Sequence, residues 1–96
     1  MNLNFEEILL AANGKVVHEG NRSFSEISTD TRKIKEGSLF IALHGENFNG
    51  NIFVNDAALK GASVCIVDDL CYNEKTIGNT SVIKVENTKQ ALLDIA

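Results

Sequence analysis

Apolar residues recur at Phe5, Ile8, Leu9 and Ala12. That i, i+3, i+4, i+7 spacing puts them on one side of a helix. Asn4 stands at the N-cap position, and Glu6 and Glu7 suit the positive end of the helix dipole. Gly14 reads as the C′ residue that stops the helix. Residues 15–19 predict a short strand, Gly20-Asn21 a turn, and the alternation over residues 24–28 a second, half-buried strand. The polar run Thr29-Asp30-Thr31-Arg32-Lys33 cannot be core. After Gly37, residues 38–43 are nearly all apolar, the pattern of a strand buried on both faces in the middle of a sheet.

A polar loop follows, from His44 to Gly50. Ile52, Phe53, Ala57 and Leu59 then predict a helix ending at Gly61, and residues 62–67 another apolar strand. Strand, helix and strand at this spacing form a βαβ unit, whose two strands should be parallel and joined right-handed. Residues 68–80 are turn-rich and receive no element. Residues 81–85 predict a further strand, and Asn87 caps a last helix with Ala91, Leu92 and Ile95 on its apolar side. That helix reaches Ala96 without a stop signal, so the chain is expected to continue in a parent protein. The fold class is α/β, a small mixed sheet with flanking helices.

Composition narrows the choice of function. With 44% hydrophobic and 23% charged residues, the 96-residue chain has the balance of a soluble globular domain. A net charge of -4 provides no basic footprint for nucleic acid. No apolar run approaches the ~20 residues of a membrane span, and Met1-Asn2-Leu3-Asn4 has no basic signal-peptide start. Cys65 within an apolar strand and Cys71 beyond it lack zinc or disulfide spacing, which suits a reducing cytoplasm. The N-x-[ST] matches at Asn21 and Asn79 read as chance in an Asn-rich chain.

The loop from Gly45 to Gly50 has the first half of a P-loop spacing. Asn51 and Ile52 stand where Lys and Ser/Thr would reach phosphate and magnesium, so a nucleotide-hydrolysis site is excluded there. What remains is either a plain turn or a ligand loop between the carboxyl end of a strand and a helix N-terminus. Asp30 and Arg32 leave open a similar choice, between ligand contact and pairing with each other. Phe48 either stacks on a ligand or folds back on the core. His18 reads as a strand-surface residue, and His44, beside the glycine loop, as the better ligand candidate. Neither has metal-ligand spacing, so no metal site is expected.

Taken as one stretch, Ser28-Thr29-Asp30-Thr31-Arg32-Lys33-Ile34-Lys35-Glu36-Gly37-Ser38-Leu39-Phe40-Ile41-Ala42-Leu43-His44-Gly45-Glu46-Asn47-Phe48-Asn49-Gly50 resembles the signature of the Mur ligase N-terminal domain. The family pattern is Asp-Ser/Thr-Arg, a Gly-x-Leu-Phe-x-Ala strand, then Gly-Glu and Asp-Gly-His. Ala57-Ala58-Leu59-Lys60-Gly61-Ala62 and Asn87-Thr88-Lys89-Gln90-Ala91-Leu92 are also similar to it. The chain departs from the pattern at Asn49 and Asn51, where the family usually has Asp and His. Both changes keep hydrogen-bonding capacity and remove an ionisable group.

The resemblance implies that residues 1–86 form a domain binding the UDP end of a nucleotide-peptide, and that residues 87–96 begin a helix toward an ATP-binding central domain. Thr29, Thr31, Glu46, Asn47 and Phe48 would contact the substrate. Asp30, Arg32, Gly45, Asn49, Gly50 and Asn51 would support the loops, Arg32 by bracing one against the other. The motifs are most similar to the type that joins D-Ala-D-Ala to UDP-MurNAc-tripeptide, ahead of the type that adds the third amino acid. A stand-alone uridine-nucleotide-binding module is the alternative of another class. The full-length enzyme would use ATP and Mg; this segment would need no cofactor, catalyse nothing alone, and be a cytoplasmic monomer.

Overall fold

The computed structural model describes residues 4–95. The readings of the first three residues and of the chain end at Ala96 lie outside that span. Helix α1 (Phe5–Ala11) starts with a capping box: Asn4 Oδ1 accepts from the Glu7 N–H at 2.9 Å, and Glu7 Oε1 accepts from the Asn4 N–H at 3.1 Å. The residue that ends it is Asn13, not Gly14. Asn13 has φ 53°, and the Gly14 N–H donates to the Leu9 carbonyl at 2.9 Å, closing a Schellman motif one residue earlier than expected. Gly14 is needed for another reason: a Cβ there would lie 2.4 Å from Ile83 Cγ2.

The strands are β1 (Lys15–His18), β2 (Ile27–Ser28), β3 (Leu39–Ile41), β4 (Val64–Val67) and β5 (Ser81–Lys84), in the order β1-β5-β4-β3-β2. Strands β2 to β5 are mutually parallel and β1 is antiparallel to β5, so the sheet is mixed as expected. The alternation over residues 24–28 yields a strand at Ile27–Ser28 alone; Phe24 leaves the ladder and packs its ring against the core. Helix α2 (Val54–Leu59) joins β3 to β4, preceded by a 3-10 turn at Gly50–Phe53. A short helix α3 (Glu74–Ile77) lies in the stretch that received no element, capped by Asn73 Oδ1. Its few residues carry no full apolar period, so hydrophobic spacing could not mark it. Helix α4 (Thr88–Ile95) is capped by Asn87 Oδ1, which accepts from the Gln90 N–H at 3.0 Å.

The pleat sends alternate strand residues to opposite faces. Leu39, Ile41, Val64, Ile66 and Ile83 pack against Phe5 and Ile8 of α1 and Ala91 and Ile95 of α4. Phe40, Cys65, Val67 and Val82 pack against Val54 and Ala57 of α2 and Ile77 of α3. The result is three layers, helices on both faces of one sheet. Burial drives the Cys65 thiol up to about 12, so it behaves as a small apolar core residue. His18 is not a free surface residue: its Nδ1 lies 2.9 Å from the Thr80 carbonyl and its ring meets Tyr72 edge-on.

Candidate functional site

Because β2 to β5 run parallel, their carboxyl ends share one edge of the sheet. The polar loops 29–33 and 43–51 both leave that edge, as do Asp68 and the Glu86-Asn87 pair.

The first loop is held by its own polar groups. Ser28 Oγ accepts from the Asp30 N–H at 3.2 Å, and Asp30 Oδ1 accepts from the Arg32 N–H at 2.9 Å, capping a 3-10 turn at Thr31–Lys33. The Arg32 guanidinium then returns to the same carboxylate, Nε to Oδ1 at 3.1 Å and Nη2 to Oδ2 at 2.9 Å. Arg32 therefore fastens its own loop. The expected brace to the second loop is not formed; Asp30, two residues away, offers a fork-shaped acceptor at lower entropic cost. Lys60, at the end of α2, supplies an outside tie by donating from Nζ to the Thr31 carbonyl at 3.0 Å.

The hydrogen bonds from Arg32, side chain first and backbone second, hold the Asp30 carboxyl down at about 2. A folded value below the unfolded one adds stability above the ordinary aspartate range, and that stability is lost as the pH falls toward 2. Carbon-detected NMR should place the Asp30 carboxyl midpoint near 2, and Arg32→Ala should return it toward the ordinary value. A parent midpoint near 4 would contradict the ion pair.

The second loop is a tight turn. The Gly45 N–H donates to the Phe48 carbonyl at 2.7 Å, and the Gly50 N–H to the Leu43 carbonyl at 2.7 Å. A Cβ on Gly50 would come within 2.8 Å of that Leu43 oxygen, so the turn closes against backbone that only glycine admits. Asn49 Oδ1 accepts from both the N–H and Nδ2 of Asn51, at 3.0 and 2.7 Å.

This turn separates the side chains that sequence placed in one pocket. A cleft of about 370 Å³ is lined by Thr29, Asp30, Thr31 and Arg32 on one side and by Phe40, Phe48 and Phe53 on the other. Phe48 is 53% exposed and stacks on Phe53 with ring centroids 6.1 Å apart. Gly45 and Glu46 line a different, acidic cleft with His44, Asp68, Asp69, Glu86 and Asn87. Asn47 lines neither and is exposed at the tip. The four-residue reversal from Gly45 to Phe48 sends the side chains of Glu46 and Phe48 to opposite sides, which linear spacing does not reveal. A roomier concavity, about 910 Å³, lies at the opposite edge between residues 21–25 and the ends of α2 and α3. It is a broad open surface holding none of the candidate residues, and its Arg22 is committed to Glu19 and Glu6.

Sequence reasoning missed Phe40, Phe53, Asp68 and Thr88 at this edge. Phe40 and Phe53 form the apolar wall of the 370 Å³ cleft. Phe40 could have been found from strand alternation, since it faces away from Leu39 and Ile41. Asp68, the first polar residue after β4, is the second loop's anchor. Its Oδ1 accepts from Asn51 Nδ2 at 2.7 Å and meets His44 Nδ1 at 3.1 Å, and Thr88 donates to its Oδ2. Burial pushes the Asp68 carboxyl up; the bonds from Asn51, His44 and Thr88 outweigh burial and leave it below its ordinary value.

The second loop does not fit the phosphates of a nucleoside triphosphate. The position after Gly50 holds a buried, fully hydrogen-bonded Asn51 in place of lysine, and no group of three His, Cys, Asp or Glu side chains among the described residues could hold a metal ion. No helix among them is long and apolar enough to cross a membrane.

The fold and its loop edge define an α/β domain whose polar loops and aromatic wall form a cleft at the carboxyl ends of parallel strands. Residues 23–96 match the family described as Mur ligase family, catalytic domain, and the chain belongs to that family. It is 43% identical over 89 residues to the UDP-N-acetylmuramoyl-tripeptide--D-alanyl-D-alanine ligase of Buchnera aphidicola subsp. Baizongia pistaciae, covering 93% of this chain and 18% of that one. It is 35% identical over 72 residues to the UDP-N-acetylmuramoyl-L-alanyl-D-glutamate--2,6-diaminopimelate ligase 2 of Clostridium acetobutylicum, covering 75% and 14%. The fold superposes on a crystal structure of MurF from Acinetobacter baumannii with TM-score 0.79 and 25% identity, over 95% of this chain and 19% of that one. The chain thus spans less than a quarter of the length of each relative.

Proposed function

We propose that this chain holds the uridine diphosphate end of a UDP-MurNAc-peptide, as the N-terminal part of a cytoplasmic, ATP-dependent ligase that builds peptidoglycan precursor. The observation that carries the reading is the cleft between residues 29–32 and the Phe48–Phe53 pair. Aromatic faces on one wall suit a flat base, and the hydroxyls of Thr29 and Thr31 on the other suit its polar edge or the sugar. Glu46 and Asn47 lie outside this cleft, so they contact the ligand only through a part of it that extends past Phe48. The acidic cleft on the far side of the loop repels a diphosphate, which favours placing the nucleotide on the Thr31 side.

Among ligases, the longer and more identical match favours the one that adds D-Ala-D-Ala over the one that adds the third residue. Residues 87–96 lead toward the ATP-binding part, and amide formation belongs there, on residues this chain does not contain. UDP added to the labelled chain should shift the NMR signals of residues 29–32 and 48–53 with one saturation curve. Phe48→Ala and Thr31→Ala should each weaken binding by about 3- to 10-fold, the value of one stacking or hydrogen-bonding contact. Equal binding by both variants would remove the cleft from consideration, and ATP hydrolysis by this chain alone would overturn the division of labour.

A further inference from the structure

Asp68 divides its carboxylate between two elements. Oδ1 serves the second loop, accepting from Asn51 Nδ2 at 2.7 Å and meeting His44 Nδ1 at 3.1 Å. Oδ2 serves α4, accepting from the Thr88 N–H at 3.3 Å and from Thr88 Oγ1 at 3.2 Å. The Asp68 N–H closes the ring by donating to Asn51 Oδ1 at 3.1 Å. The Asp68 side chain is 10% exposed, and Thr88 is fully buried. A carboxylate is a rigid plane, so a movement of the loop that turns one oxygen turns the other.

We propose that Asp68 is a positioning residue that couples the second loop to the first turn of α4, so that a uridine nucleotide bound against Phe48 is sensed by the helix. The proposal rests on the nucleotide-binding reading above. Two features favour a coupling over a mere local fastening. Asn51 and His44 sit at the two ends of the loop, so the carboxylate holds both sides of the turn that carries Phe48. Thr88 is also fully buried with its Oγ1 donating to Asp68 Oδ2, so a shift of that oxygen costs a buried hydrogen bond unless Thr88 follows it. Lys89, the next residue, lies over Gly45, with its Nζ 3.3 Å from where a Cβ would be, and offers a competing route along the same helix. Coupling of this kind is a free energy shared between two sites and has to be measured as such.

The test is NMR titration of the 96-residue chain with UDP, in the parent and in Thr88→Val and Asp68→Asn. Thr88→Val keeps the side-chain shape and the backbone N–H and removes one donor. In the parent, the amides of residues 44–51 and of residues 68 and 88–91 should shift with the same midpoint. In Thr88→Val the loop should still respond, while the α4 shifts fall by at least half. A merely structural role would lower stability and leave the ratio of helix to loop response unchanged. If the loop shifts and α4 does not, or if α4 responds undiminished in Thr88→Val, the coupling through Asp68 is wrong. If UDP shifts neither region, the nucleotide-binding reading falls and the coupling with it. Should Asp68→Asn fail to fold, Thr88→Val alone decides.

Discussion

Asn51→Ala is expected to destabilise the chain by about 3 kcal/mol, well beyond the effect of an ordinary polar-to-alanine change. Asn51 is fully buried. Its Nδ2 donates to Asn49 Oδ1 and Asp68 Oδ1, both at 2.7 Å, and its Oδ1 accepts from the N–H groups of Asp68 and Asp69, at 3.1 and 3.3 Å. Alanine removes all four bonds. It strands two backbone donors and takes one donor from a carboxylate that is itself mostly buried. Each stranded group costs roughly 1–3 kcal/mol, reduced where water enters from the adjoining acidic cleft. For a chain this short, the midpoint of thermal unfolding should drop by on the order of 15 °C.

Asn51→Asp gives the sharper form of the same test. It places a second carboxylate against Asp68, which raises the folded-state pKa of the pair. By linkage, the stability of this variant is retained at acid pH and lost as the pH rises toward neutrality. Urea unfolding at about pH 4 and at neutral pH should therefore show a larger deficit at neutral pH, near and above the ordinary carboxylate range. A variant that unfolds like the parent at both pH values would show that the buried network contributes little.

The partners of Asn51 also explain why the fold was more legible than the site. Helix α1, strands β3 to β5 and the central βαβ unit were visible because apolar periodicity follows burial, and burial decides these elements. Gly14 misled because Asn also tolerates the left-handed conformation, and here Asn13 takes it. The 3-10 turn at Thr31–Lys33 and helix α3 are set by side-chain caps, Asp30 and Asn73, over spans too short for a period. At the site, the loops and their polar character were legible. Their three-dimensional partition was not, because a reversal of four residues sends Glu46 and Phe48 apart. Asp68 and Thr88 were invisible for a related reason: 17 and 37 residues separate them from Asn51, and only the parallel pairing of β3, β4 and β5 brings the three together.

Phe40→Ala is the second large effect, and it asks whether one residue serves both core and cleft. Phe40 is 1% exposed, packs with Val54, Ala57, Cys65 and Val67, and yet lines the wall opposite Thr31. Truncation should cost about 3–5 kcal/mol. A domain of this length has roughly 5–14 kcal/mol in all, so the loss takes a large share of the stability and unfolds much of the population at the low end of that range. That variant alone would say nothing about binding. Phe40→Leu removes fewer carbons, should cost roughly half as much, and should remain folded at low temperature. In the folded Leu variant the flat floor of the cleft is gone while both loops keep their hydrogen bonds. UDP affinity should then fall by about 2- to 10-fold, the range of one lost aromatic contact. If calorimetry finds parent-like affinity in a chain that is demonstrably folded, Phe40 belongs to the core alone, and recognition rests on Phe48, Phe53 and the threonine wall.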